Sequence, residues 1–98
     1  NCVACNHNLG LAYLELGRLQ EAEGRFRRAV ELDPTYFRAH YNLAIALVRS
    51  GRLEESLQEL TAAAQLNADL ARDWLREDRS EFGPILERPK LKALLDGS

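Results

Sequence analysis

Two thiols stand three residues apart near the start of the chain, in Cys2-Val3-Ala4-Cys5, and the only histidines are His7 and His40. The first chemistry to weigh is therefore metal ligation or thiol–disulfide exchange. A tetrahedral zinc site needs two further ligands at suitable places, and His40 is read at a packing position between hairpins, where an interface histidine belongs. The run C-V-A-C-N-H misses the haem attachment pattern because Asn6 intervenes. Residues three apart share a helix face, which leaves a redox pair open, but no strand precedes the helix as in thioredoxin-like proteins. Both cysteines are read as reduced thiols at a helix start, leaning to a reducing compartment. No metal or cofactor is expected.

Other chemistry is sparse. No serine, histidine and carboxylate form a catalytic set, and neither a glycine-rich phosphate loop nor H-E-x-x-H occurs. Ser56 sits where a small buried residue is wanted. The chain is read as non-catalytic. More informative is a stripe in which Arg38, Asn42, Ile45 and Arg49 follow at steps of four, three and four, with Tyr41 at its edge. Arg72, Arg76 and Arg79 repeat the motif further on, while Asp69, Asp73 and Glu77 turn to another side. A guanidinium grips a carboxylate with two parallel hydrogen bonds, so such stripes suit an acidic or carboxylate-ended peptide. The alternative is that these arginines are solvated partners of the neighbouring acids, each pair worth little.

These side chains need elements to hold them, and the chain supplies them twice. An offset of 34 maps Leu9 to Leu43, Gly10 to Ala44, Tyr13 to Leu47 and Gly17 to Gly51. It also maps Ala22 to Ser56, Phe26 to Leu60, Ala29 to Ala63 and Pro34 to Ala68, so size recurs more faithfully than identity. Apolar residues fall at steps of three and four, the stripe of an amphipathic helix. Gly17-Arg18 and Gly51-Arg52 interrupt two runs, and Asp33-Pro34 stops another. The spacing predicts helices near 3–16, 19–32, 37–50 and 53–66. Gly10, Ala22 and Ala29 leave room for Tyr13 and Phe26 from facing helices.

Leu9-Gly10, Tyr13, Ala22, Phe26, Ala29 and Pro34 stand where the tetratricopeptide repeat carries its signature, and the chain resembles that family over about 68 residues. Asn6, His40 and Trp74 occupy the signature tryptophan position of successive units. The resemblance implies an all-α superhelix of helical hairpins with a C-terminal capping helix. It implies one unit, 1–98, with repeat one at 3–36, repeat two at 37–70, and a capping helix and tail at 71–98. Its implied function is a non-catalytic protein-interaction module binding a partner peptide in a concave groove lined by the first helices. Arg38, Tyr41, Asn42, Ile45, Arg49, Arg72 and Arg76 are the expected peptide-binding residues. Some relatives clamp a peptide's terminal carboxylate. Asn42, Arg72 and Arg76 match that clamp, whereas its first-unit pair falls on His7 and Leu11, a departure from the pattern.

The third unit departs after Trp74, with Glu77-Asp78 and Glu81 at signature positions, and reads as a capping helix from about Asp69 to Arg79. Gly83-Pro84 ends it. Ile85, Leu86, Leu91, Leu94 and Leu95 suggest a turn and a small helix folding back, as core or as a partner-binding helix. Net charge is −2 with basic residues balanced by acids, so neither nucleic acid nor an anionic membrane surface is an expected partner. No apolar run is long enough to cross a bilayer. The chain begins at Asn1 and contains no Met, which points to a fragment. Solenoids need about three units, so either further repeats ahead or self-association through the first hairpin is expected, with a structural spacer as the alternative role.

Overall fold

The computed structural model describes residues 2–96, apart from the side chain of Pro84. Asn1, Gly97 and Ser98, ends of the expected unit, lie outside the described residues. Four long helices run as two antiparallel hairpins: α1 (Val3–Glu15) with α2 (Leu19–Leu32), and α3 (Phe37–Arg49) with α4 (Leu53–Leu66). After them come α5 (Ala68–Glu77), a short α6 (Arg79–Phe82), a 3-10 turn (Gly83–Glu87) and α7 (Pro89–Leu95). The fold is all-α, a short helical superhelix.

The hairpin turns follow from one glycine each. Gly17 and Gly51 take φ of 76° and 80°, a left-handed conformation that costs a glycine little. That turn lets the Arg18 N–H reach the Tyr13 carbonyl and the Gly17 N–H the Leu14 carbonyl, at 2.9 and 3.0 Å. Arg52 and Gly51 repeat both bonds onto Leu47 and Val48. Between hairpins the chain stops α2 at Asp33, whose carboxylate accepts from the Thr35 N–H and hydroxyl.

Inside the first hairpin the approach of α1 to α2 is set by Gly10. A Cβ there would lie 2.6 Å from Cε1 of Phe26, which is fully buried. In the second hairpin Ala44 and Leu60 fill the same places, and the Ser56 hydroxyl donates to the Ala44 carbonyl at 2.7 Å. His40 ties α3 to α4 and to the preceding turn: Nε2 donates to the Pro34 carbonyl at 2.7 Å and Nδ1 faces Glu59 at 2.9 Å.

The third unit differs from expectation at both ends. Its helix begins at Ala68 rather than Asp69, because Ala68 replaces the proline of the first unit and the Asn67 side chain caps it directly from the Leu70 N–H. It breaks at Asp78 instead of reaching Arg79. There the Tyr41 hydroxyl donates to the Asp78 carboxylate at 2.7 Å, and α6 turns Phe82 into the core under Tyr41. Beyond Gly83, α7 packs against α4 and α5 and buries Leu91 completely, with Ile85 beside it, so these two act as core.

The cysteines require a correction. Cys2 precedes α1 in extended conformation, which brings its Cα to 5.1 Å from that of Cys5, and the two are disulfide-bonded rather than reduced. Their sulfurs are occupied by each other, so neither offers a thiolate to a metal.

Candidate functional site

The first helices of the successive units, α1, α3 and α5, lie side by side and are tied by side chains from the expected stripe. Asn42 on α3 donates through Nδ2 to Nε2 of His7 on α1 at 2.9 Å. That bond requires an unprotonated Nε2, and burial together with the nearby charge of Arg38 lowers the His7 pKa, consistent with a neutral ring. Arg38 itself is exposed and has no carboxylate in ion-pair range among the described residues. From α3 onward, Tyr41 packs edge-on against Trp74 of α5 at 5.0 Å and stacks beside Phe37. Its hydroxyl pKa is pushed up, chiefly by burial and then by the bond to Asp78.

The expected residues therefore separate into three groups. Tyr41 and Ile45, at 1% and 8% exposure, form the floor beneath the stripe and offer no free face. Arg49 reaches across to α6, where Nε and Nη2 hold the two oxygens of Glu81 at 3.0 and 2.7 Å. This bidentate pair joins the second and third units, raises the Arg49 pKa and lowers that of Glu81. Arg38, Asn42, Arg72 and Arg76 remain near the surface.

Arg72 and Arg76 come together at a cavity of about 270 Å³ between α5 and α7. Its floor is Leu75, Leu86 and Leu95. Around it stand Arg72, Arg76, Arg79 and Lys92, against only Glu87 and Asp96 among the lining acids. Arg72 bonds Asp69 and the Leu95 carbonyl. Arg76 is held only by Asp73 at 3.6 Å and Lys92 by Glu87 at 3.5 Å, while Arg79 has no carboxylate in ion-pair range among the described residues. Exposed pairs of this kind contribute about 0–1 kcal/mol each. Leu86 and Leu95 were read as core or as a partner-binding helix and Lys92 was not singled out; only the fold of α7 back onto α5 brings the three beside the arginines.

Away from that cavity a different cluster joins the two hairpins. Arg27 bonds Glu23 and Glu55, and Arg52 bonds the same two carboxylates, so two arginines and two glutamates close a ring between α2 and α4. Glu23 is the most enclosed member, its side chain 15% exposed.

A family profile described as tetratricopeptide repeat matches residues 7–84, from within α1 through α6 and short of α7. No curated protein matches the chain significantly. The repeat is generally a non-catalytic element of protein–protein interaction. With its paired helices, the glycine turns between them and a profile match over most of its length, the chain belongs to the tetratricopeptide repeat family.

Proposed function

We propose that the protein binds a segment of a partner protein along the exposed face of α1, α3 and α5, and that an acidic or carboxylate-ended residue of that segment enters the cavity between α5 and α7. The observation that carries this reading is the cavity itself, where four cationic side chains and two carboxylates surround a floor of three leucines. A guanidinium already bound to an exposed aspartate at 3.6 Å exchanges it for a ligand carboxylate that also buries an apolar neighbour. Arg72, Arg76, Arg79 and Lys92 supply the charge; Arg38 and Asn42 extend the polar face over the first two units. Tyr41 and Ile45 support that face from below, and Arg49 contributes only if Glu81 is displaced.

Amide-shift titration with peptides that end in a leucine flanked by aspartates tests this directly. The expected shifts centre on Arg72, Arg76, Arg79 and Lys92. They disappear for a peptide with the acids replaced by asparagine and a C-terminal amide, and they weaken at least about tenfold in Arg76→Glu/Arg79→Glu. Equal binding of acidic and neutral peptides, or binding unaffected by that double variant, overturns the assignment.

A second reading, a spacer that stacks on neighbouring repeats, is favoured by one observation: an apolar flank of α1 is bare.

A further inference from the structure

The bridge between Cys2 and Cys5 joins no two elements of the fold. Cys2 caps α1 and Cys5 lies in its first turn, so the loop closed is very short and its closure removes little entropy from the unfolded chain. The contact that sets the first hairpin lies further along, where Phe26 packs against Gly10. Both cysteines are exposed, which opens either sulfur to a small thiol. A bridge so placed can open and close while the hairpins stay folded.

The surroundings favour an open form that is ready to close again. The Cys5 N–H donates to Cys2 Sγ at 3.0 Å, the place of a capping atom at the positive end of a helix, and the first turn of α1 holds no acid. A sulfur there is stabilised as thiolate. The Cys2 backbone is held without help from the sulfurs: its carbonyl accepts from the Asn6 N–H at 3.0 Å and from Asn6 Nδ2 at 2.9 Å. Arg25 of α2 donates to Asn6 Oδ1 at 3.4 Å and brings a positive charge to the same end of α1. Asn6 is 7% exposed and stands where this repeat carries its tryptophan, so a buried polar side chain here serves the cysteine pair.

We infer that Cys2 and Cys5 form a reversible dithiol–disulfide centre that exchanges with a low-molecular-weight thiol and its disulfide, with Asn6 as its positioning residue. The small thiol gives its proton to water, and its thiolate attacks Cys5 Sγ. The bond between Cys5 and Cys2 breaks and the electron pair leaves on Cys2 Sγ, the better leaving group because the Cys5 N–H stabilises its charge. A second small thiolate attacks the small-molecule sulfur of the mixed disulfide, which releases the small disulfide and leaves Cys5 to take a proton from water. The protein pair gains two electrons and two small thiols lose them. In the reverse direction the Cys2 thiolate closes onto Cys5 Sγ and expels the small thiolate.

The test equilibrates the full chain in glutathione buffers that run from reduced to oxidised, quenches with acid, and counts thiols by mass after alkylation. Both forms are expected within that range, with helical circular dichroism unchanged between them. Ultraviolet thiolate absorbance is expected to titrate below the ordinary cysteine value in the reduced chain and in Cys5→Ser, but not in Cys2→Ser. Asn6→Ala is expected to move the glutathione equilibrium about tenfold toward the dithiol, whereas Ser56→Ala, which weakens the second hairpin only, leaves it in place. Loss of helix on reduction, a pair that stays bridged or stays open in every buffer, a Cys2 thiol that titrates at the ordinary value, or an unmoved equilibrium in Asn6→Ala overturns the inference.

Discussion

Adding one methyl group to either of two glycines is expected to move stability in opposite directions. At Gly10 in α1 a new Cβ meets Cε1, Cδ1 and Cζ of Phe26 at 2.6, 2.8 and 3.0 Å. The ring has no free space to yield into: it is fully buried and lies against His7 at a centroid distance of 5.8 Å. Forcing such a contact costs about 1–3 kcal/mol in backbone shift and off-rotamer strain. Alanine's advantage over glycine within a helix offsets about 1 kcal/mol of that. Gly10→Ala is therefore expected to lose roughly 1 kcal/mol. Gly24 lies on the exposed face of α2 with nothing within 4 Å of a Cβ. Only the propensity difference acts there, so Gly24→Ala is expected to gain about 0.5–1 kcal/mol. Urea unfolding followed by helical circular dichroism separates the two variants by roughly 2 kcal/mol, and their melting temperatures by about 10 °C. In a Phe26→Leu background Gly10→Ala loses its penalty, because the ring edge is gone. If Gly10→Ala stabilises the native chain as Gly24→Ala does, the close approach of α1 and α2 is not what fixes a glycine at position 10.

Three further outcomes follow from single contacts. Ser56→Ala removes a buried hydroxyl bond from α4 to the Ala44 carbonyl and is expected to cost about 1 kcal/mol in the same urea assay. Tyr41→Phe strips Asp78 of its donor at the break between α5 and α6; a loss of about 1.5–3 kcal/mol is expected, with faster amide exchange in Arg79–Phe82. The two histidines titrate on opposite sides of 6.5. The bond to Glu59, then that to Pro34, raises His40, so its contribution to stability is complete below 6.5 and fades as pH rises through its folded value. His7 is lowered by burial, so its contribution holds above 6.5 and is lost as pH falls through its folded value. Histidine ring-proton titration by NMR reads both midpoints, and His40→Gln is expected to abolish the stability loss on the alkaline side.

The legible part of the site was its charge, and the illegible part its enclosure. Arg38, Asn42, Arg72 and Arg76 declare a face by helical spacing alone, since steps of three and four fix direction on any helix. The same rule placed Ile45 within that face and Tyr41 at its edge. Whether an edge is open or covered depends on a neighbour, and here Trp74, Phe82 and Asp78 cover Tyr41 from helices that the spacing of α3 does not describe. Arg49 was read as a ligand-facing cation for the same reason. Its partner Glu81 lies 32 residues away, on a short helix created by the break at Asp78.

By itself the sequence determined the four long helices, their glycine turns and the hairpin repeat, because these rest on local terms: apolar periodicity, the left-handed turn at Gly17 and Gly51, and the missing N–H of Pro34. It also marked Gly10 as the small residue opposite Phe26. Tertiary structure decided where the third unit breaks, that α7 closes a cavity onto Arg72 and Arg76, that Cys2 and Cys5 are joined, and that α1 keeps an open flank which α3 buries. Each of those depends on which surfaces remain after neighbouring elements have packed, and burial is a property of the assembled pair, not of either strip of residues alone.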